Sequence, residues 1–191
     1  MTRLRETPSQ TAGPYLHIGC LPNAAGLAGV YPADPGDVIA GPGVEGQRIA
    51  LVGHVIDGAG APVTDAMVEA WQADPRGRFP GQPGAARGFA GWGRSATGAT
   101  GAFRFDTVRP GPVPFGDGRM QNPHVTLWIA ARGINLALVT RLYFPEDDPT
   151  ADPVLRLAGA RGRTMISRAE GTTYRLDIHL QGPGETVFLD I

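Results

Sequence analysis

The chain has 191 residues, a formal net charge of −1 and charged side chains at 18% of its positions. A nearly neutral chain has no bulk charge with which to hold nucleic acid or an anionic membrane, and no run approaches the roughly 18 apolar residues of a membrane span. The length fits one domain with a substantial core.

The composition is poor in charge and rich in turn-forming residues. Charged residues are fewer than the roughly 25% typical of soluble domains. This shortage fits either an obligate oligomer with apolar buried surfaces or a glycine-rich loop protein with few long side chains. The 28 glycines and 18 prolines separate recurring short apolar runs, which favours many short strands joined by turns over disorder.

Redox and targeting signals favour the cytoplasm. Cys20 is the single cysteine, so the sequence offers no internal disulfide and no zinc site built on paired cysteines. One cysteine suits a reducing compartment. Residues 1–22 lack the apolar stretch of a signal peptide. We therefore expect a cytoplasmic protein.

Residues 1–46 are rich in glycine, proline and alanine and predict an extended N-terminal arm with at most one short turn. The alternative is a disordered tail. Apolar residues such as Leu16, Ile18 and Tyr31 favour an ordered arm that lies on another surface, since a disordered tail has no use for such anchors.

Residues 47–191 predict an all-β domain, a β-sandwich of about eight short strands with long loops and no strong amphipathic helix. Residues 49–56 are apolar on both faces, as in a fully buried strand. Residues 66–72 suit a helix or a strand, and their place after a turn favours a strand paired with 49–56. Residues 75–100 have the composition of a loop. Further strands are predicted at 102–107, 125–131, 136–144, 164–167, 174–180 and 185–189.

Five sequence blocks occur in an order that resembles the intradiol ring-cleaving dioxygenases. They are DGAGAPVTDAMVEAWQ at 57–72, GWGRS at 91–95, GAFRFDTVRPG at 101–111, TRLYF at 140–144 and YRLDIHLQG at 174–182. The resemblance extends from Thr7 to Ile191. It implies the family's all-β fold and a relation to its Fe(III) site, which uses two tyrosine and two histidine ligands.

The positions that carry those ligands in catalytic members correspond here to Phe79, Val113, His124 and Thr126. Phenylalanine and valine have no oxygen to offer ferric iron, for which phenolate is a good ligand. The resemblance therefore implies a chain without catalytic residues, metal or cofactor of its own. The family's catalytic arginine is also replaced, by Gln121 or Asn122. A misalignment is the other account, but the remaining histidines have no partner at a metal-site spacing: His17, His54 and His179.

Three further blocks resemble the iron-free alpha subunits that occur within this family: TPSQTAGPY at 7–15, ARG at 131–133 and ETVF at 185–188. Their resemblance implies a homologous iron-binding beta subunit as partner, with Fe(III) held there. It implies protocatechuate as shared substrate, cleaved by O₂ to 3-carboxy-cis,cis-muconate in the β-ketoadipate route. It also implies that this chain contributes five residues to the pocket wall: Arg132, Gly13, Pro14, Thr11 and Tyr15.

Alternatives remain open at this point. The Arg132 guanidinium could bind a substrate carboxylate with its forked N–H groups, or it could pair with an aspartate across the sheet. The chain could be a self-sufficient intradiol dioxygenase with unusual ligands. It could also be a β-sandwich binding module with no enzymatic role.

Overall fold

The computed structural model of the chain describes residues 8–190 and is built mostly from strands. Thr7 and the rest of residues 1–7, which begin the predicted arm, lie outside the described residues, as does Ile191. The helices are α1 (Pro14–Cys20), α2 (Pro153–Ala158) and a 3₁₀ helix (Gly159–Met165). The strands are β1 (Arg48–Ile56), β2 (Met67–Gln72), β3 (Trp92–Ala96), β4 (Ala102–Val108), β5 (Val113–Pro114), β6 (Met120–Gln121), β7 (His124–Ala130), β8 (Leu138–Tyr143), β9 (Arg168–Glu170), β10 (Thr173–Arg175) and β11 (Ile178–His179).

Two main sheets form the sandwich. In the first sheet, β1 pairs antiparallel with β4 and parallel with β10 and β11, and β9 extends the sheet beyond β10. The second sheet is antiparallel throughout, with strand order β3-β2-β7-β8. A small hairpin joins β5 to β6. The β-sandwich predicted from the sequence is confirmed.

One apolar core lies between the two sheets. Leu51 and Val55 of β1, Val68 of β2 and Leu127 of β7 are fully buried in it. Alternate residues of each strand face this core because side chains of a strand point to opposite faces in turn. Residues before the sandwich also enter the core, namely Ile39, Ala40 and Val44.

The predicted pairing of residues 66–72 with 49–56 is wrong. β2 pairs with β3 and β7 in the second sheet, so β1 and β2 face each other across the core instead of sharing an edge. The loop predicted at 75–100 is also partly wrong, because it contains β3. The centre of β3, Gly93-Arg94-Ser95, has no apolar alternation and hides its strand character. Gly93 is needed there because a Cβ would lie 2.4 Å from Ile39 Cγ1.

Helices and strand breaks account for the remaining differences. The arm is helical at α1, where an extended chain was expected. The strand predicted at 164–167 is wrong, because the 3₁₀ helix occupies its first two residues and the next strand, β9, begins only at Arg168. Residues 185–189 are not a strand, although Leu189 N donates to Val139 O at 2.7 Å. The predicted strand at 174–180 is split into β10 and β11.

The split between β10 and β11 follows from a close approach to β1. Leu176 N donates to Val52 O at 2.9 Å, and the Leu176 carbonyl then lies over Gly53. A Cβ at Gly53 would be 1.9 Å from Leu176 O and 2.7 Å from Phe103 Cζ. The glycine therefore permits two short parallel strands to pack along one edge of β1.

We expect Gly53→Ala to destabilise the protein by about 1–3 kcal/mol, the usual cost of overpacking a filled core. The matched control is Gly98→Ala, because a Cβ at Gly98 meets no atom of the described chain within 4 Å. Urea-induced unfolding of both variants measures the difference. Equal stabilities for the two would contradict the proposed packing constraint.

Candidate functional site

A cavity of about 400 Å³ lies between the N-terminal arm and the loop that follows β7. Its arm side is formed by Gly13 and Pro14, at the start of α1, and by Ile18. Its sandwich side is formed by Asp65, just before β2, and by Arg132. The cavity therefore combines a mostly apolar wall with one cation and one anion.

A hydrogen bond holds the arm against this loop. Gly133 N donates to Thr11 Oγ1 at 2.7 Å. Gly133 has φ of +89°, a conformation that glycine adopts without strain, and it turns the chain sharply after β7. The turn and the Thr11 bond together bring Arg132 beside Gly13 and Pro14.

Arg132 is loosely paired and well exposed. Its Nε lies 3.6 Å from Asp65 Oδ2, and the two side chains are 83% and 42% exposed. An exposed ion pair at this distance contributes little to stability, because water and salt screen it. The guanidinium therefore remains free to exchange Asp65 for another anion.

Three of the five pocket residues expected from the sequence line this cavity: Gly13, Pro14 and Arg132. Thr11 lies beside it, through its hydrogen bond to Gly133. The fifth, Tyr15, is 86% exposed and does not line the cavity. The catalytic or binding roles of all five stay predictions. Asp65 was missed, because its contact with Arg132 joins segments far apart in the sequence.

The arm is fixed to the outer face of the second sheet through Arg94. Arg94 of β3 lies opposite Glu69 of β2, and its Nε donates to Glu69 Oε1 at 2.9 Å. Its NH1 donates to the carbonyl of Cys20, at the end of α1, at 3.0 Å. The side chains of Arg94 and Glu69 are nearly buried, with 15% and 12% of their surface exposed. The ion pair fixes the guanidinium that binds the Cys20 carbonyl. It therefore also fixes the position of α1 and of the cavity wall that α1 forms.

The four positions that the sequence resemblance aligns with iron ligands are spread over β5, β7 and the loop after β2. Val113 of β5 and His124 of β7 are buried, whereas Phe79 is 41% exposed in the loop after β2. Thr126 is half-buried, and its direct neighbour across the ladder is Arg141 of β8.

A buried polar network surrounds His124. Arg141 NH1 donates to Gln121 Oε1 at 2.7 Å and to Tyr143 Oη at 3.0 Å. Tyr143 Oη donates to Asp152 Oδ1 at 3.2 Å. Burial raises the pKa of the Tyr143 phenol well above its usual range, so the side chain is a neutral donor and not a phenolate.

Asp152 organises the far side of this network. Its side chain caps α2 by accepting from Val154 N at 2.8 Å and Leu155 N at 2.9 Å, and it accepts from Asn122 N at 2.9 Å. An aspartate followed by proline is a common start of a helix, so Asp152-Pro153 was a signal for α2 that the sequence contained.

A family model described as "Dioxygenase" matches residues 34–182. This chain belongs to the intradiol dioxygenase family. Over its whole length it is 39% identical to the protocatechuate 3,4-dioxygenase alpha chain of Burkholderia cepacia, which is also covered completely. It is 33% identical to the protocatechuate 3,4-dioxygenase beta chain of Burkholderia cepacia over 162 residues, which cover 74% of this chain and 67% of that one.

A solved structure shows the same fold. It is the dioxygenase domain of a dioxygenase and carbohydrate-binding protein fusion from Streptomyces sp. SirexAA-E. It has a TM-score of 0.60 and 22% identity, and the match covers 95% of this chain and 100% of that one. Within residues 8–190, no helix is long and apolar enough to cross a membrane.

Intradiol dioxygenases depend on iron, and the residues that the sequence resemblance assigns to the ligand positions do not fit ferric iron. Phe79 and Val113 have no donor atom, and Thr126 offers only a neutral hydroxyl. The His124 Nδ1 is engaged with Asn122 O at 2.8 Å. The guanidinium of Arg141 brings a fixed positive charge to the same place, which repels a metal cation.

The pH dependence of unfolding tests the environment of His124. Burial, assisted by the charge of Arg141, lowers the pKa of His124 from 6.5 to about 4. Between these values the unfolded chain binds a proton that the folded chain does not. Stability therefore falls as the pH decreases through this window, by roughly 3 kcal/mol near pH 4.

The variant His124→Asn places an N–H donor for Asn122 O at the position of Nδ1 and removes this titration. We expect urea-induced unfolding of the wild-type protein to lose stability more steeply than that of the variant between pH 7 and pH 4. Parallel pH profiles for the two proteins would show that His124 is not held neutral by burial.

Proposed function

We propose that this chain is the non-catalytic alpha subunit of a cytoplasmic protocatechuate 3,4-dioxygenase. The observation that carries the proposal is the donor set at Phe79, Val113, His124 and Thr126, which cannot hold ferric iron. The full-length similarity to an alpha chain supports the same assignment. In this proposal the family's iron belongs to a homologous beta subunit, and this chain contributes no metal ligand.

Exposed apolar side chains on the arm support a partner surface. Tyr15, Val30, Tyr31 and Val38 are between 47% and 86% exposed, and all lie within residues 8–46. Large apolar side chains grouped on one segment mark interaction sites more often than free surface. The low charge of the chain, 18% of residues, fits a protein whose surface is partly covered in an oligomer.

The cavity at Arg132 supports a role in the shared active site. The guanidinium has forked N–H groups that match a carboxylate, and protocatechuate carries one carboxylate. Gly13 and Pro14 add little side-chain bulk, so another subunit can approach the arm backbone closely. We place the cavity at the mouth of the partner's active site, where Thr11 and the more exposed Tyr15 complete the wall.

The assembled enzyme would insert both atoms of O₂ into the bond between the two hydroxyl-bearing ring carbons. The bond breaks and each carbon becomes a carboxylate, which yields 3-carboxy-cis,cis-muconate. The residues of this chain would hold and orient the substrate carboxylate and exclude water, and the bound iron of the partner supplies the activation of the catechol.

Iron content and visible absorbance test whether the iron is bound by the beta subunit and not by this chain. We expect the chain purified alone to be colourless and free of stoichiometric iron. Co-expressed with its beta partner, it should form an active complex with the red-brown colour of Fe(III)–tyrosinate. The control His124→Asn should leave the iron content of that complex unchanged.

Two results would contradict the proposal. One iron per chain in the isolated protein, with activity, would identify a self-sufficient dioxygenase. A stable monomer that never associates with the beta chain would identify a binding module instead.

Kinetics of Arg132→Ala in the complex test the pocket role. Loss of a charge-assisted hydrogen bond costs about 1.5–3 kcal/mol, so we expect kcat/KM for protocatechuate to fall roughly 10–100-fold with iron content unchanged. The matched control Asp65→Asn removes the loose partner but keeps the guanidinium, and should retain kcat/KM. Unchanged kcat and KM in Arg132→Ala would remove this residue from the active site.

A further inference from the structure

A second concave surface, here called the basic pocket, lies at the edge of the first sheet, away from the residues of the Arg132 cavity. Its volume is about 320 Å³. It is bounded by the 3₁₀ helix, β9, β10 and β11, and its charged or titratable lining residues are Arg163, Arg168, Arg175, Asp177 and His179. Nothing in the proposed function uses this pocket.

Two of its arginines face each other directly. Arg168 of β9 and Arg175 of β10 are partners in the antiparallel ladder. Like charges at directly opposite positions of a sheet destabilise it. The Arg168–Arg175 pair therefore lowers the stability of the sheet unless a negative charge lies between or beside the two side chains.

The one carboxylate that lines the pocket, that of Asp177, is already hydrogen-bonded to other groups of the chain. Asp177 accepts from Arg175 Nε at 3.2 Å and from Arg175 NH2 at 3.1 Å, and it also accepts from His54 N at 3.0 Å. Within residues 8–190, neither Arg163 nor Arg168 has a carboxylate oxygen within 4 Å. The pocket therefore carries an excess of positive charge on a chain whose formal net charge is −1.

A second acid beside the pocket wall, Glu185, is paired with another arginine. Glu185 lies next to Gly184 and Thr186 of the pocket wall, but its carboxylate and carbonyl face Arg161, with Oε1 and O at 3.5 and 3.0 Å from Arg161 NH2. Arg161 thus takes the acid that could have paired with Arg163.

We propose that the basic pocket binds a small anion with two or more carboxylate groups. Guanidinium groups bind carboxylates through paired N–H donors. The three guanidinium groups of the basic pocket belong to Arg163 of the 3₁₀ helix, Arg168 of β9 and Arg175 of β10. The pocket volume of about 320 Å³ is at the lower end of the range for small-molecule sites. A ligand with several carboxylates offers a separate acceptor to each of the unpaired arginines, Arg163 and Arg168, whereas a phosphate offers its oxygens at a single point.

The proposed reaction produces an anion of this class. Ring cleavage turns a substrate with one carboxylate into a product with three, so the basic pocket favours product over substrate by charge. This identification of the ligand rests on the proposed function, whereas the charge and shape of the pocket do not.

Calorimetric titration of the purified alpha–beta complex tests the site. The probe is tricarballylate, which has three carboxylates, and the comparison ligands are benzoate and inorganic phosphate. We expect tricarballylate to bind at low ionic strength, at least ten-fold more tightly than either comparison ligand. Arg163→Gln and Arg168→Gln should each weaken its binding at least ten-fold. The control is Arg156→Gln, an exposed arginine of α2 that does not line the pocket, and it should bind as the wild type does.

Thermal unfolding gives a second readout that a purely structural role would not produce. Tricarballylate should raise the Tm of the wild-type complex, since a ligand that binds the folded state stabilises it. Arg168→Gln should raise the Tm without ligand, because it relieves the repulsion with Arg175, and should abolish the rise caused by tricarballylate.

Three results would overturn the proposal. They are the absence of tricarballylate binding to the wild type, equal affinity for phosphate, and variants that bind as tightly as the wild type. If the arginine variants instead lose the beta subunit on gel filtration and no anion binds, the pocket is an assembly contact. Titration with 3-carboxy-cis,cis-muconate tests the product assignment separately, and iron content and complex formation report on the proposed function independently.

Discussion

The placement of the N-terminal arm depends on the buried ion pair between Glu69 and Arg94. The two residues are opposite each other on the outer face of the second sheet, and Arg94 also holds the Cys20 carbonyl. A buried ion pair is expensive to leave half-made, so the charges favour the one geometry in which the guanidinium is shared between sheet and arm. The position of α1 follows from this contact, and with it the positions of Gly13 and Pro14 at the cavity.

The region around His124 is held together by a buried hydrogen-bond network. Arg141, the phenol of Tyr143 and the carboxylate of Asp152 form a chain of hydrogen bonds. Asp152 also caps α2, so the network connects β8 to the start of that helix.

Strands with clear apolar patterns were predictable from the sequence. Residues 49–56 and 102–107 lie in β1 and β4 as expected, because burial on both or alternate faces leaves a direct signature. β3 was missed because its central residues, Gly93-Arg94-Ser95, show no alternation of apolar and polar side chains. The partners of β2 could not be found locally, since pairing across the core or along an edge gives the same residue pattern.

In the candidate site, too, local features were predictable from the sequence and contacts between distant segments were not. Arg132, Gly13 and Pro14 came from a resemblance between blocks, and no spacing rule would have joined residues more than a hundred positions apart. Asp65 contacts a loop far along the chain, and Arg141 contacts Gln121 of β6, so the sequence contains no local trace of either contact. The Asp152-Pro153 start of α2 is different, because its signal was present in two adjacent residues.

The bond from Gly133 N to Thr11 Oγ1 has a consequence for assembly. A segment that is disordered before binding loses conformational entropy when a partner orders it, and that loss is subtracted from the affinity. Here the chain's own sandwich already orders the segment around Thr11. The arm is thus ordered by its own chain, and in the proposed assembly a partner subunit would meet a surface whose shape is set before the encounter.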